Sequence, residues 1–251
     1  MILPVNKLIN PLVFHRQNTT AIPIKLCDVS VEDAVFWDRS AAPYLKPPAN
    51  GWDWEKYHHY HNAFIAKVPY VRGMMACIRL NVIGLSSRAI GMMWCLGPTS
   101  LFSNSKYMYV SYLCKAPDEV FAEIGIEPLT ITAVMTDAAI QFSLLGGCSG
   151  RILFHADPLG NTGLLEYYVR SGFTRVPETE RLMVANIVNS GAIYPNDGRF
   201  FATTPKASLS RLLLPFPEDR QDPTLTRNAD EWLNAASERL PKGFYREQFK
   251  P

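Results

Sequence analysis

Gly150-Arg151-Ile152-Leu153-Phe154-His155-Ala156-Asp157-Pro158-Leu159-Gly160-Asn161-Thr162-Gly163-Leu164-Leu165-Glu166-Tyr167-Tyr168-Val169-Arg170-Ser171-Gly172-Phe173 decides the fold. The spacing predicts a strand, a tight turn, a short helix and a glycine stop. Ile152 and Phe154 alternate with Leu153 and His155, so each pair takes one face of the strand. Pro158 and Gly160 end the strand, and Asn161 is a natural helix N-cap. Leu164, Leu165, Tyr168 and Val169 follow at helical spacing. Gly172 suits the left-handed position after a helix, and Phe173 is placed to fold back on the last turn.

The flanking segments extend this reading in both directions. Upstream, residues 129–145 carry Ala133, Val134, Ala138, Ile140 and Leu144 on a helix opened by Pro128 and stopped by Gly146-Gly147. Before it, residues 118–127 form a connector with weak helical character. Three strands precede that: residues 74–83, 89–96 and 106–116. On the last, alternation puts Tyr107, Tyr109, Ser111, Leu113 and Lys115 on one face and Met108, Val110, Tyr112 and Cys114 on the other. Earlier still, residues 22–29 read as a strand. Ser30 and Asp33 open a helix in the manner of a capping box, and Ala34, Val35, Trp37 and Ala41 give it a buried stripe. Residues 53–68 give a second helix with Trp54, Tyr57, His58, His61, Phe64 and Ile65 on one side. Downstream, residues 181–188 and 199–204 are strand candidates joined through the turn chemistry of Tyr194-Pro195-Asn196-Asp197-Gly198.

The resulting order is β-α-α-β-β-β-α-β-α-β-β. With Asn161, Tyr168 after six intervening residues, and Gly172-Phe173, the chain resembles the GCN5-related N-acetyltransferase (GNAT) superfamily. The resemblance implies a mixed α/β fold with a mostly antiparallel sheet flanked by helices. It covers most of residues 22–204. Residues 1–21 then read as an N-terminal arm, 22–205 as the transferase domain, and 206–251 as an extension. The extension carries one helix, capped by Asn228 and ended by Pro241, with Trp232, Leu233, Ala236 and Leu240 as its apolar side. It is expected to dock on the core, and a partner-binding tail is the alternative.

The resemblance implies transfer of an acyl group from acetyl-CoA to a primary amine of a small molecule or peptide. The leaving thiolate needs a proton, and the family gives that task to a tyrosine, here Tyr168. The family's fourth strand holds the pantetheine arm through backbone groups, here of Tyr112, Leu113, Cys114 and Lys115. Its pyrophosphate loop, Q/R-x-x-G-x-G/A, is missing. Glu127 stands where a cation or amide belongs, and Thr130 and Thr132 replace glycines. Their hydroxyls, with Asn161 opening the following helix, are the remaining candidates on the coenzyme side. This departure keeps two further readings open: a GNAT-like binding module without coenzyme, and a transferase using another acyl donor.

Other candidates come from the residues themselves. His155 and Asp157 lie two apart on one face at a strand end, where an imidazole beside a carboxylate can accept an ammonium proton. The alternative is strand-end polarity, with Asp157 serving the turn. His58 and His61 share a helical face, but no third ligand stands at a matching spacing, so no metal is expected. With Trp52, Trp54 and Trp94 they are candidates for an aromatic acceptor pocket, and core packing is the alternative.

Composition bounds the rest. The 251 residues are 47% hydrophobic with net charge +2 and no basic block, which argues against a nucleic-acid partner. No apolar run reaches membrane-spanning length. Residues 1–17 are broken by Pro4 and Pro11 and do not read as a signal peptide. Five cysteines without a C-x-x-C point to reduced thiols and a cytoplasmic setting. Oligomeric state stays open, a homodimer included.

Overall fold

The computed structural model describes residues 2, 5–8, 12–14, 21–67, 72–80, 88–101, 106–125, 131–159, 162–178, 182–183, 193–194 and 197–204. The proposed extension, 206–251, lies outside them. The strands are β1 (Leu12–Phe14), β2 (Ala21–Asp28), β3 (Arg72–Leu80), β4 (Ala89–Leu101), β5 (Lys106–Lys115), β6 (Ile152–His155), β7 (Thr174–Arg175), β8 (Leu182–Met183), β9 (Ile193–Tyr194) and β10 (Phe200–Ala202). The helices are α1 (Val31–Phe36), α2 (Trp54–Phe64), α3 (Asp118–Glu123), α4 (Ile131–Leu145) and α5 (Thr162–Arg170). This is the mixed α/β architecture that the sequence predicts.

A single sheet runs β1-β2-β3-β4-β5-β6-β10-β7, with β8 paired to β4 and β9 to β8. Neighbours are antiparallel except β5 and β6, which run parallel. Three strands fall where none was expected; one is β9, in the segment read as a turn, where it pairs with β8. β1 adds to β2 within the segment read as an arm, and Val5 and Leu8 of that segment are buried. β7 follows α5 directly and pairs with β10.

The helices cover the sheet from two sides. On one side lie α1 and α2. The capping box is present: Ser30 Oγ accepts the Asp33 amide (3.2 Å), and Asp33 accepts the Ser30 amide (2.9 Å). A π-helical turn, Trp37–Ala41, continues α1. Its Asp38 carboxylate accepts the amides of Trp54 (3.0 Å) and Glu55 (2.9 Å), and Asp53 accepts that of Lys56 (2.8 Å). The unpaired amides that open α2 are thereby satisfied. On the other side lies α4, whose Ile131 and Met135 close over Gly91 of β4.

The decisive stretch folds as its spacing predicts. Ile152 and Phe154 join the main core, whereas Leu153 packs in a smaller cluster with Val176, Phe200 and Ala202. Gly172 has φ 68°. Its amide donates to Val169 O (2.8 Å), and the Phe173 amide donates to Tyr168 O (3.0 Å). This is the two-bond Schellman closure, and Phe173 lies against the Tyr168 ring as the accompanying apolar contact. Val169 differs from expectation: it is exposed, because Leu164, Leu165 and Tyr168 fill the face toward the core.

Candidate active site

The site begins where β5 and β6 part. Only Met108–Ile152, Tyr109–Leu153 and Val110–Phe154 are in register. Beyond Val110, β5 continues to Lys115 without β6 beside it. The cause lies in β10 and the residue before it. The Ala156 amide donates to Arg199 O (2.9 Å), and the Arg199 guanidinium donates to the carbonyls of Ala156 and Asp157 (2.7 Å each). The chain after His155 is thus drawn toward β10 and away from β5.

A bulge marks the same point. Val110 opposes Cys95, and Tyr112 opposes the adjacent Trp94, so Ser111 has no partner position on β4. Directly opposed residues share a face, and Cys95 and Trp94 point to opposite faces. Tyr112 therefore lies on the face opposite Val110. This corrects the simple alternation read from the sequence, which grouped the two: the extra residue inverts it. Tyr112 joins the α2 side, while Met108 and Val110 stay on the α4 side. Ser111 Oγ is buried without a hydrogen-bond partner among the described residues.

The backbone positions expected to hold the coenzyme lie on this unaccompanied half of β5. The Ala116 amide donates to Ile90 O of β4 (2.9 Å). By alternation, the amides of Leu113 and Lys115 face away from β4, toward the gap left by β6. Those residues fit a ligand that needs in-line amide and carbonyl partners. The Cys114 side chain is buried on the core side, and burial raises its thiol well above the usual range. Lys115 Nζ is 3.3 Å from Asp118 Oδ1. Thr132 is half-buried in the first turn of α4, where its carbonyl accepts from Thr136 Oγ1 (2.9 Å). Thr130 and Asn161 lie outside the described residues.

His155 closes β6 at the apex of the gap, on the α2 face. Its partner is not Asp157. His155 Nε2 is 3.0 Å from Asp197 Oδ2, and its ring lies 4.5 Å from that of Phe200. Asp157 instead accepts the Leu159 amide (2.8 Å) and shapes the turn at Pro158. Burial pushes the Asp197 carboxyl up, but hydrogen bonds from His155 and the Arg199 amide outweigh it and hold it below the usual range. The sequence marked Asp197 only as turn chemistry. The signal was a carboxylate in the turn that returns the chain beside β6.

Tyr168 stands on the opposite face. Its ring stacks on Phe201 (5.1 Å, 22°) and contacts Phe154 (5.5 Å) and Phe173 (5.7 Å). Burial, and then Tyr167, raise its phenol above the ordinary range, so it stays protonated at neutral pH. Tyr167 is exposed.

The aromatic residues of α2 form a layer rather than an open wall. Tyr57 stacks on Tyr112 (4.4 Å, 15°) and Trp94 (5.4 Å, 29°). Trp52 meets Tyr112 edge-on (5.0 Å). Trp54, Trp94 and His61 are buried, which makes them core residues because α2 seats its apolar stripe directly on β4. Trp94 Nε1 donates to His61 Nδ1 (3.2 Å), and burial lowers the His61 pKa to about 4. His58 is half-buried, with Asn62 Nδ2 3.1 Å from its Nε2. Trp52, Tyr57, Tyr112 and His58 are the members of this layer that solvent reaches. Tyr57 was read as part of the helical stripe and not as a site residue.

The element order and the splayed parallel pair give this chain a GNAT-like fold. No family model matches it, and no curated protein does. Three solved structures to which it is similar are these. One is a spermidine N-acetyltransferase SpeG chimera from Vibrio cholerae and hSSAT, at 13% identity, covering 74% of this chain and 98% of that one, with TM-score 0.42. Another is the NatC complex bound to Gag peptide and CoA, at 16% identity, with 71% and 95% covered and TM-score 0.39. The third is the KacTA–DNA complex, at 13% identity, with 74% and 95% covered and TM-score 0.42.

Proposed function

We propose that this protein is an acyl-CoA-dependent N-acyltransferase that moves an acetyl group from acetyl-CoA to a primary amine of a small molecule or peptide. The observation that carries the reading is the His155–Asp197 pair at the apex of the gap between β5 and β6. A base on one face, a phenol on the other and an unaccompanied strand edge between them are the parts amine acylation needs.

The coenzyme, when bound, supplies an activated thioester. The backbone of Leu113 and Lys115 holds the pantetheine arm along β5. His155 takes the proton of the incoming ammonium, and Asp197 orients the imidazole and stabilises its charged form. Tyr168 gives a proton to the leaving sulfur. The acceptor enters from the α1 and α2 side, past Trp52 and Tyr57. That aromatic surface suits a small amine, amino sugar or peptide end better than a polycation. The setting is cytoplasmic.

A binding module without coenzyme is the second reading. It is favoured by Glu127, Thr130 and Thr132, which stand where the family's loop places a cation or amide and glycines. The test is release of free thiol from acetyl-CoA in the presence of a panel of primary amines. Amine-dependent release supports the transferase. Release at the buffer rate with every amine would leave the binding module or a transferase that uses another acyl donor.

A further inference from the structure

Cys27 of β2 and Cys77 of β3 stand directly opposite each other. The Val29 amide donates to Met75 O (3.2 Å) in the pair two residues away, so Cys27 and Cys77 also occupy a hydrogen-bonded pair. Such pairs hold their Cα atoms about 5.5 Å apart, inside the roughly 4.4–6.8 Å that a disulfide spans. Opposed residues point to the same face, so both side chains rise on the α1 side of the sheet as neighbours.

Their surroundings are charged. Lys25 and Arg79, another opposed pair, lie two residues along the same face. Asp33 of α1 reaches over them, ion-paired to Arg79, and its Oδ2 lies 3.6 Å from the Cys77 sulfur. Cys27 is partly exposed, whereas Cys77, Cys95, Cys114 and Cys148 are buried. The hydrogen bond from Cys77 lowers the Cys27 thiol to about 6. Arg79 and Lys25 add to this against the opposing effects of burial and Asp33. Cys77 moves the other way. A partly exposed thiolate beside a resolving thiol is the arrangement that selects one cysteine for oxidation.

We propose that Cys27 and Cys77 form a peroxide-responsive dithiol, with Cys27 the attacking sulfur and Cys77 the resolving one. The Cys27 thiolate attacks hydrogen peroxide. An S–O bond forms, the O–O bond breaks, and hydroxide leaves and is protonated to water. Cys77 then attacks the Cys27 sulfenic acid. The S–S bond forms, the S–O bond breaks, and the departing hydroxide takes the Cys77 proton. Two thiols and one peroxide give one disulfide and two waters. The bridge joins neighbouring strands of the sheet, and closing it draws the two Cβ atoms together from the roughly 5.5 Å of a hydrogen-bonded pair to the roughly 4 Å of a disulfide.

The test is peptide mapping of the full chain after limited hydrogen peroxide and maleimide blocking, without reductant. The expected product is a Cys27–Cys77 linked peptide that dithiothreitol reverses, with Cys95, Cys114 and Cys148 still reduced. In Cys77→Ser, dimedone captures Cys27 as its sulfenic acid. In Cys27→Ser, peroxide-dependent thiol loss slows at least tenfold. Reduced Cys27 and Cys77 in the wild type, or oxidation that begins at a buried cysteine, would overturn the proposal. The wild-type map alone decides this if a serine variant fails to fold.

Discussion

Nε2 of His155 lies 3.0 Å from Oδ2 of Asp197, although 42 residues separate them in the chain. A neutral imidazole carries one donor and one acceptor, so donation of an Nε2 hydrogen to this carboxylate leaves Nδ1 as the acceptor. Asp197 is itself fixed, since its Oδ1 accepts the Arg199 amide (3.0 Å).

Asp197→Asn keeps the shape of the turn and removes the charge. We expect kcat to fall about tenfold or more, with KM for the amine little changed, because the residue acts through His155. Steady-state kinetics with acetyl-CoA and a reactive amine measure this, and a change in KM alone would argue for a purely structural role. The carboxyl is held below its usual range. Its contribution to stability is therefore present above the unfolded value near pH 4 and lost as pH falls through the lower folded value.

His155→Ala tests the base directly. An amine that arrives protonated needs His155, whereas one already neutral does not. The loss in kcat/KM is expected to be about 100-fold near neutral pH and to shrink as pH rises toward the amine's own pKa. A pH profile parallel to wild type would reject the role.

Tyr168→Phe removes a hydroxyl and leaves the ring on Phe201. Stacking of this kind contributes about 1 kcal/mol beyond burial and survives the change. Turnover is expected to drop at least tenfold, with coenzyme affinity and melting temperature nearly unchanged. Equal turnover would remove Tyr168 from the chemistry.

His61 gives a pH dependence of stability unrelated to catalysis. Its pKa is about 4 in the fold and about 6.5 in an unfolded chain. Below about pH 6.5 the unfolded state binds a proton that the native state refuses until about pH 4. Stability therefore falls as pH drops through this window, by up to about 3 kcal/mol. His61→Asn keeps an acceptor for Trp94 and does not titrate. Thermal melts from pH 7 to 4 should show a flatter slope for this variant.

Local chemistry was legible in the sequence, and long-range pairing was not. Ser30 with Asp33, Gly172 with Phe173, and the split of Ile152 and Phe154 from Leu153 and His155 all follow from short-range sterics and hydrogen bonding. The partner of His155 does not, because Asp197 arrives through a turn whose return path depends on the whole sheet. The bulge at Ser111 was equally hidden: nothing in Val110-Ser111-Tyr112 departs from a regular strand until β4 is set beside it. The aromatic stripe of α2 was visible as a face, but only packing on β4 separates buried Trp54, Trp94 and His61 from accessible Trp52 and Tyr57. The pairing of Cys27 with Cys77 likewise needs the β2–β3 register.

We propose that the unaccompanied edge of β5, from Ser111 to Lys115, holds an acyl coenzyme. Isothermal titration calorimetry of the purified full chain with acetyl-CoA tests it most directly. The expected result is a one-to-one complex with a dissociation constant on the order of micromolar, equivalent to about −8 kcal/mol. Absence of binding heat and of competition at millimolar acetyl-CoA would contradict it.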